Sequence, residues 1–219
     1  PGVFEAPKTV AEGPRAWRPS LALGSEGRVW LTWCGTDKFP ERGEHRRRIF
    51  LRRVLPDLGP VEQISGSIGR NCDPTLAVRA DGGFAIAWEN SDLEDASSRI
   101  AWRVFGADGK PGGNVAKGTS RHLDRRPVLA ALPEGWLLAW DRFMDRAPTA
   151  GPDPDYDVYG VSLDLTGRAS SEKPWAGGDG IQAAPSLAVI DAQNVALAFH
   201  SSRRHPLVKH AATALLKKT

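Results

Sequence analysis

Two cysteines, two tyrosines and one methionine are the full complement of those residues in a chain of 219. Two cysteines, Cys34 and Cys72, allow one disulfide at most. They leave the compartment open, because a bridge implies an oxidising environment and two thiols do not. No apolar run approaches the roughly 20 residues of a membrane-spanning helix, so no membrane span is expected. Neither sign of charge is in excess: 29 basic residues against 26 acidic ones leave a net charge of +3. The charges are interspersed, which argues against a nucleic-acid surface. Nucleophile and cofactor motifs are also missing, with no G-x-S-x-G, no H-E-x-x-H, no P-loop and no C-x-x-C. No cofactor is therefore expected, and no residue stands out as catalytic. The five histidines, His45, His122, His200, His205 and His210, are scattered. The chain begins at Pro1 rather than Met, which reads as processing or truncation, and it offers no signal peptide to read.

What the chain has is a repeat. Pro19-Ser-Leu-Ala, Pro74-Thr-Leu-Ala, Pro127-Val-Leu-Ala and Pro185-Ser-Leu-Ala recur at spacings of 55, 53 and 58 residues. An aromatic follows each proline by 13 or 14 positions: Trp33, Trp88, Trp140 and Phe199. Between these markers lie short β-branched and aromatic runs, broken by turn residues such as Asp81-Gly82-Gly83 and Asp108-Gly109. The expected strands are 20–23, 28–33, 48–55 and 61–65 in the first copy, and 75–78, 84–88, 100–105 and 114–118 in the second. The third copy has 128–131, 136–140, 158–163 and 168–172, and the fourth only 186–189, 195–199 and 208–216. An extended run at 4–11, interrupted by Pro7, precedes them all.

Four-stranded repeats of this length, arranged radially, are β-propeller blades. The expected fold is all-β, a single propeller domain over 1–219 with blades near 17–65, 72–119, 125–174 and 183–219. Strand 4–11 would close the ring by completing the last blade; the alternative is a slice of a larger propeller. Ala22, Ala77, Ala130 and Ala188 suit the crowded innermost strands. The four aromatics suit packing between blades, where each can bury about 150–250 Å².

The pattern carried by Pro74-Thr-Leu-Ala, Asp81-Gly82-Gly83, Ala87-Trp88, Ile100, Arg103, Phe105 and Asp108-Gly109 resembles the propeller repeats of large bacterial secreted and RTX-type proteins. More distantly it resembles blades of the sialidase superfamily. That second resemblance implies an arginine two residues before a proline, which Arg125 matches. It also implies a Tyr–Glu nucleophile pair, for which only Tyr156 and Tyr159 are present and neither has an evident glutamate partner. Ser25-Glu26-Gly27-Arg28-Val29-Trp30 lacks the Asp-box spacing.

In this topology the ends of second strands and the starts of first strands share one mouth. Loops 35–47 and 141–157 are expected to emerge there, where long loops on a rigid scaffold usually carry function. Cys34, Glu89, Asp141 and His200 follow the four aromatics, and Arg18, Asp73, Arg126 and Ala184 precede the four prolines. The first set could ligate a metal only if it converged, and its mixture of soft and hard donors argues against a metal site. Arg18 and Arg126 come from alternate blades and suit a carboxylate, sulfate or phosphate. Trp17 stands beside Arg18. The candidate ligand-binding residues are therefore Arg18, Arg126, Trp17, Asp73, Glu89, Asp141 and His200.

Cys34 and Cys72 fall on the same face of neighbouring blades, within reach of a disulfide. The basic run His45-Arg46-Arg47-Arg48, with Arg52 and Arg53, reads as a solvated edge or a contact for an anionic partner. A glycosidase pair could be drawn from Asp37, Glu89, Asp92, Asp141, Asp153, Asp155 and Asp157. The expected function is a non-catalytic binding or scaffold propeller, engaging a protein or an anionic or glycan ligand outside the cytoplasm, extracellular or periplasmic. The alternative is a glycan-active hydrolase or lyase.

Overall fold

The computed structural model describes residues 9–11, 16–36, 47–66, 69–91, 97–144, 155–178, 180–202 and, for the backbone, 210–217. Among the described residues, fifteen strands form four antiparallel sheets. The first sheet holds β1 (Ala16–Leu23), β2 (Val29–Thr36), β3 (Arg47–Leu55) and β4 (Glu62–Gln63). The second holds β5 (Arg70–Val78), β6 (Phe84–Ser91), β7 (Ser98–Phe105) and β8 (Ala116–Lys117). The third holds β9 (Asp124–Leu132), β10 (Gly135–Met144), β11 (Asp155–Leu163) and β12 (Lys173–Ala176). The fourth holds β13 (Gln182–Val189), β14 (Asn194–Ser201) and β15 (His210–Lys217). Each sheet runs in sequence order, and its first strand packs on the first strand of the next. This is a four-bladed β-propeller.

Middle strands are buried on both faces because each blade is sandwiched between neighbours. β6 shows it, with Phe84 to Trp88 buried without alternation, as a continuous apolar run bounded by turns should be. Trp30, Leu51, Phe84, Trp88 and Phe105 fill the space between the first two blades. Trp102, Trp136, Trp140 and Val161 fill the next. Indole hydrogen bonds join the blades across this core: Trp136 Nε1 donates to the Ala77 carbonyl at 3.1 Å and Trp102 Nε1 to that of Gly167 at 2.8 Å.

The turn at Asp108-Gly109 seats the second blade on the first. The Asp108 carboxylate accepts the Lys110 N–H at 3.0 Å. Gly109 has φ +84°, and a Cβ there would stand 2.5 Å from the Trp30 ring. Gly109→Ala should therefore lower stability by about 1–3 kcal/mol, read as a lower urea midpoint at unchanged slope.

The structure extends the first strand of every blade beyond its expected start. β1, β5, β9 and β13 begin three residues or more before the marker proline, and each breaks register at that proline. The residue before it is left-handed in all four blades: Arg18 (φ 53°), Asp73 (49°), Arg126 (52°) and Ala184 (54°). Proline cannot donate to the ladder and bars the right-handed helical region to its predecessor. The strand answers with a bulge. The second strands likewise run past their aromatics and β11 begins early, so Asp141 to Met144 and Asp155 to Asp157 are strand rather than loop.

Among the described residues, no packing comparable to that between consecutive blades joins the first sheet to the fourth. Leu21 and Leu23 are 63% and 70% exposed, and Val189 and Ile190 are 46% and 61% exposed. Of the proposed closing strand, 4–8 falls outside the described residues. Thr9 to Ala11 lie against the first blade, where the Val10 carbonyl accepts from Arg52 Nη1 at 2.6 Å.

Candidate functional site

The four bulges and the ends of the four second strands share one rim. Cys34 pairs with Trp17, Glu89 with Cys72, Asp141 with Arg125 and His200 with Ala183. One position in the repeat thus presents thiol, carboxylate, carboxylate and imidazole in turn.

Arg18 Nη1 meets Asp73 at 2.6 Å, a tie between the first and second blades. Arg126 Nε meets Asp141 at 2.5 Å, and Asp141 also accepts the Ala184 N–H at 2.7 Å, joining the third blade to the fourth. Both arginines keep an exposed side, with side chains 61% and 51% accessible. Asp141 is fully buried. Burial pushes its carboxyl up to about 6, against Arg126 and the Ala184 N–H. Asp141→Ala should cost about 1–3 kcal/mol by stranding that N–H, and Asp141→Asn, whose Oδ1 can still accept it, should recover most of the loss. Paired urea titrations of the two variants check this.

Glu89 differs from Asp141 in having no arginine in contact in the described structure. It is half-buried and accepts only a long bond from Ser91 Oγ, at 3.5 Å. Burial, and then the charge of Asp73, push its carboxyl up to about 7, against the pull of Arg125. One sector of the rim thus holds a carboxylic acid that keeps its proton up to about pH 7 beside a carboxylate paired with arginine.

The remaining candidates are distributed as follows. The arginine over the Trp17 ring is Arg47, at 5.4 Å, while Arg18 turns to Asp73. His200 is exposed. Asp157 is buried and accepts the Gly178 N–H at 3.1 Å. Asp37, Asp92 and Asp153, with His45 and His205, lie outside the described residues, as do the central parts of both long loops. No group of three or more metal-ligating side chains occurs among the described residues. The expected basic edge is built into the fold instead. Arg48 is 1% exposed and donates to the Gly69 carbonyl at 3.2 Å, and Arg52 donates to that of Gly59 at 2.6 Å. Cys34 and Cys72, the possible disulfide pair, are free thiols with sulfurs 3.6 Å apart.

Two arrangements have no marker in the repeat. Asn71, 2% exposed, accepts from Trp88 Nε1 and Asn90 Nδ2, each at 2.9 Å, and donates to the Arg47 carbonyl at 3.2 Å. Arg142 forks onto Asp124 at 2.7 and 2.9 Å and reaches Glu172 at 2.6 Å. A cavity of about 240 Å³ opens beside Trp17 and Trp33, away from these charges, with Thr9 to Ala11 as one wall. No helix in the described residues is long and apolar enough to cross a membrane.

No protein-family model and no curated protein matches the chain. Solved structures do. A protein of unknown function from Dyadobacter fermentans matches over 90% of this chain and 52% of its own, with 13% identity and a TM-score of 0.60. The α-L-arabinofuranosidase Arb93A of Fusarium graminearum, solved with an iminosugar inhibitor, matches over 94% and 64%, with 13% identity and a TM-score of 0.59. An endo-arabinase from Bacteroides thetaiotaomicron matches over 99% and 79%, with 14% identity and a TM-score of 0.56. The chain thus spans about half of the first protein and just under two thirds of the second. These likenesses define a β-propeller fold. They correct the expected function. The expectation of a non-catalytic binding or scaffold propeller is overturned, because the named structural neighbours are glycoside hydrolases.

Proposed function

We propose that this chain is a glycan-active hydrolase. Glu89 is its general acid, Asp73 the second carboxylate, and Arg18 the counter-charge to Asp73. The observation that carries the reading is Glu89 itself: a half-buried carboxyl pushed up to about 7, on the rung next to a carboxylate held by arginine. Glycoside hydrolysis needs two carboxyl groups in opposed states, one to protonate the leaving oxygen and one charged. Burial and the neighbouring negative charge keep the proton on Glu89. The exposed edges of Arg18 and Arg126, with Trp17 and His200 on the same rim, would receive sugar hydroxyls or an acidic sugar.

The neighbours described as arabinofuranosidase and endo-arabinase make arabinan the first substrate to try. A polysaccharide substrate would suit a working protein in the extracellular or periplasmic space. Reducing-end release from arabinan and other cell-wall polysaccharides should be detectable with the wild type. It should be lost in Glu89→Gln and in Asp73→Asn while the fold is retained. A wild-type protein that releases nothing from the whole panel at high concentration would retire the reading.

A further inference from the structure

The two thiols are placed for chemistry that glycan hydrolysis does not use. Cys34, at the end of β2, is fully buried, its sulfur 3.0 Å from the Asn71 carbonyl oxygen. Cys72, on β5 in the next blade, is half-buried. Their sulfurs are 3.6 Å apart, and Arg47 Nη1 donates to Cys72 Sγ at 3.3 Å. Arg47 is itself held over the Trp17 ring. One sulfur therefore has a cation beside it and belongs to a half-buried residue, and the other is fully buried.

We propose that Cys72 and Cys34 form a peroxide-reactive dithiol, with Cys72 as the attacking thiolate and Cys34 as the resolving thiol. The charges around the pair support the division of labour. The hydrogen bond from Cys34 and the Arg47 guanidinium bring the Cys72 thiol down to about 6, against burial and the charge of Asp73. The same bond, with burial, pushes the Cys34 thiol up. Glu89, opposite Cys72 on β6, adds little negative charge while it keeps its proton. A low-lying thiolate beside arginine is the reactive kind of cysteine.

The chemistry balances. The Cys72 thiolate attacks one peroxide oxygen, the O–O bond breaks, and hydroxide leaves, giving a sulfenic acid on Cys72. Cys34 then gives up its proton and attacks the Cys72 sulfur. The S–O bond breaks and the oxygen departs as water. Two thiols and one hydrogen peroxide become one disulfide and two waters. The product ties the first blade to the second beside Asp73 and Glu89, closing the sulfurs to about 2.05 Å.

The test uses the intact, reduced chain and hydrogen peroxide. The expected product is lighter by two hydrogens, has no thiol titratable in denaturant, and is restored by dithiothreitol. In Cys34→Ser the oxidation should stop at Cys72 with one added oxygen, captured by dimedone. In Cys72→Ser, Cys34 should stay unmodified over the same time. Arg47→Gln should slow oxidation of Cys72 by about twofold at pH 7, because a thiol raised by about one unit from about 6 falls from mostly to half thiolate. Should a variant fail to fold, limiting iodoacetamide on the native wild type decides: Cys72 alone should be labelled at pH 7. Equal labelling of both cysteines, or a peroxide product that accumulates oxygen without losing two hydrogens, overturns the proposal. Neither readout depends on hydrolytic activity, so failure here and failure of the proposed function are separable.

Discussion

Replacing Arg142 with alanine should lower the free energy of unfolding by about 3–5 kcal/mol. The Arg142 side chain is 7% exposed and Asp124 is fully buried. Two parallel hydrogen bonds join them, and a third reaches Glu172, whose other oxygen accepts the Thr119 N–H at 3.0 Å. The guanidinium also lies 4.2 Å from the centre of the Tyr159 ring. Burial works against its charge, but the bonds to Asp124 and Glu172 outweigh burial and raise its pKa. The cluster joins β9 and β10 to the start of the outer strand and to the segment after β8. Alanine leaves a buried Asp124 with no counter-charge, and this stranded carboxylate dominates the loss. The variant should therefore recover stability as the pH falls and Asp124 takes up a proton. Arg142→Met with Asp124→Leu should recover more than the sum of the single variants allows, because removing both charges removes the penalty. Urea titrations at two pH values separate these outcomes from a simple packing loss.

Blade positions were legible because a propeller solves one packing problem four times. A proline opens each inner strand, a small residue lets neighbouring inner strands approach, and an aromatic closes the gap to the preceding blade. Trp88 and Trp140 lie in those gaps, each 1% exposed. Trp33, with no preceding blade beside it among the described residues, instead stacks on Phe50 at 5.6 Å and lines the cavity. The bulges were hidden because a left-handed conformation at Arg18, Asp73 or Arg126 contradicts the usual preference for glycine there. Only the following proline hints at it. The Arg142 cluster was hidden for a different reason: its partners stand 18 and 30 residues away and recur in no other blade. Strand register explains why the cysteines could be brought together from sequence. It could not reveal the state of Glu89, which depends on how much of the rim is dry and on the charge next to it.

Replacing Glu89 with glutamine should reduce hydrolysis about 10²–10⁴-fold, the usual contribution of a positioned general acid, and should stabilise the protein at alkaline pH. The two effects share one cause. The folded chain holds the Glu89 proton up to about pH 7, whereas an unfolded chain releases it near 4.5. Between those values the folded state binds more protons, so stability falls as the pH rises through this window, and the loss is complete above it. Discounted for the exposed part of the side chain, the charged form costs on the order of 1–2 kcal/mol at pH 8. Glutamine carries no charge at any pH and nearly preserves the shape, so Glu89→Gln should gain about that much at pH 8 and almost nothing at pH 4. Wild-type kcat/KM should fall as the pH rises through about 7, where the acid loses its proton. A structural carboxylate would behave in the opposite way: its removal would weaken the fold and leave the chemistry intact. Melting curves at pH 4 and pH 8, run beside arabinan hydrolysis by wild type and variant, distinguish the two. A variant that is less stable at pH 8, or that hydrolyses at the parental rate, would show that Glu89 serves the scaffold and not the reaction.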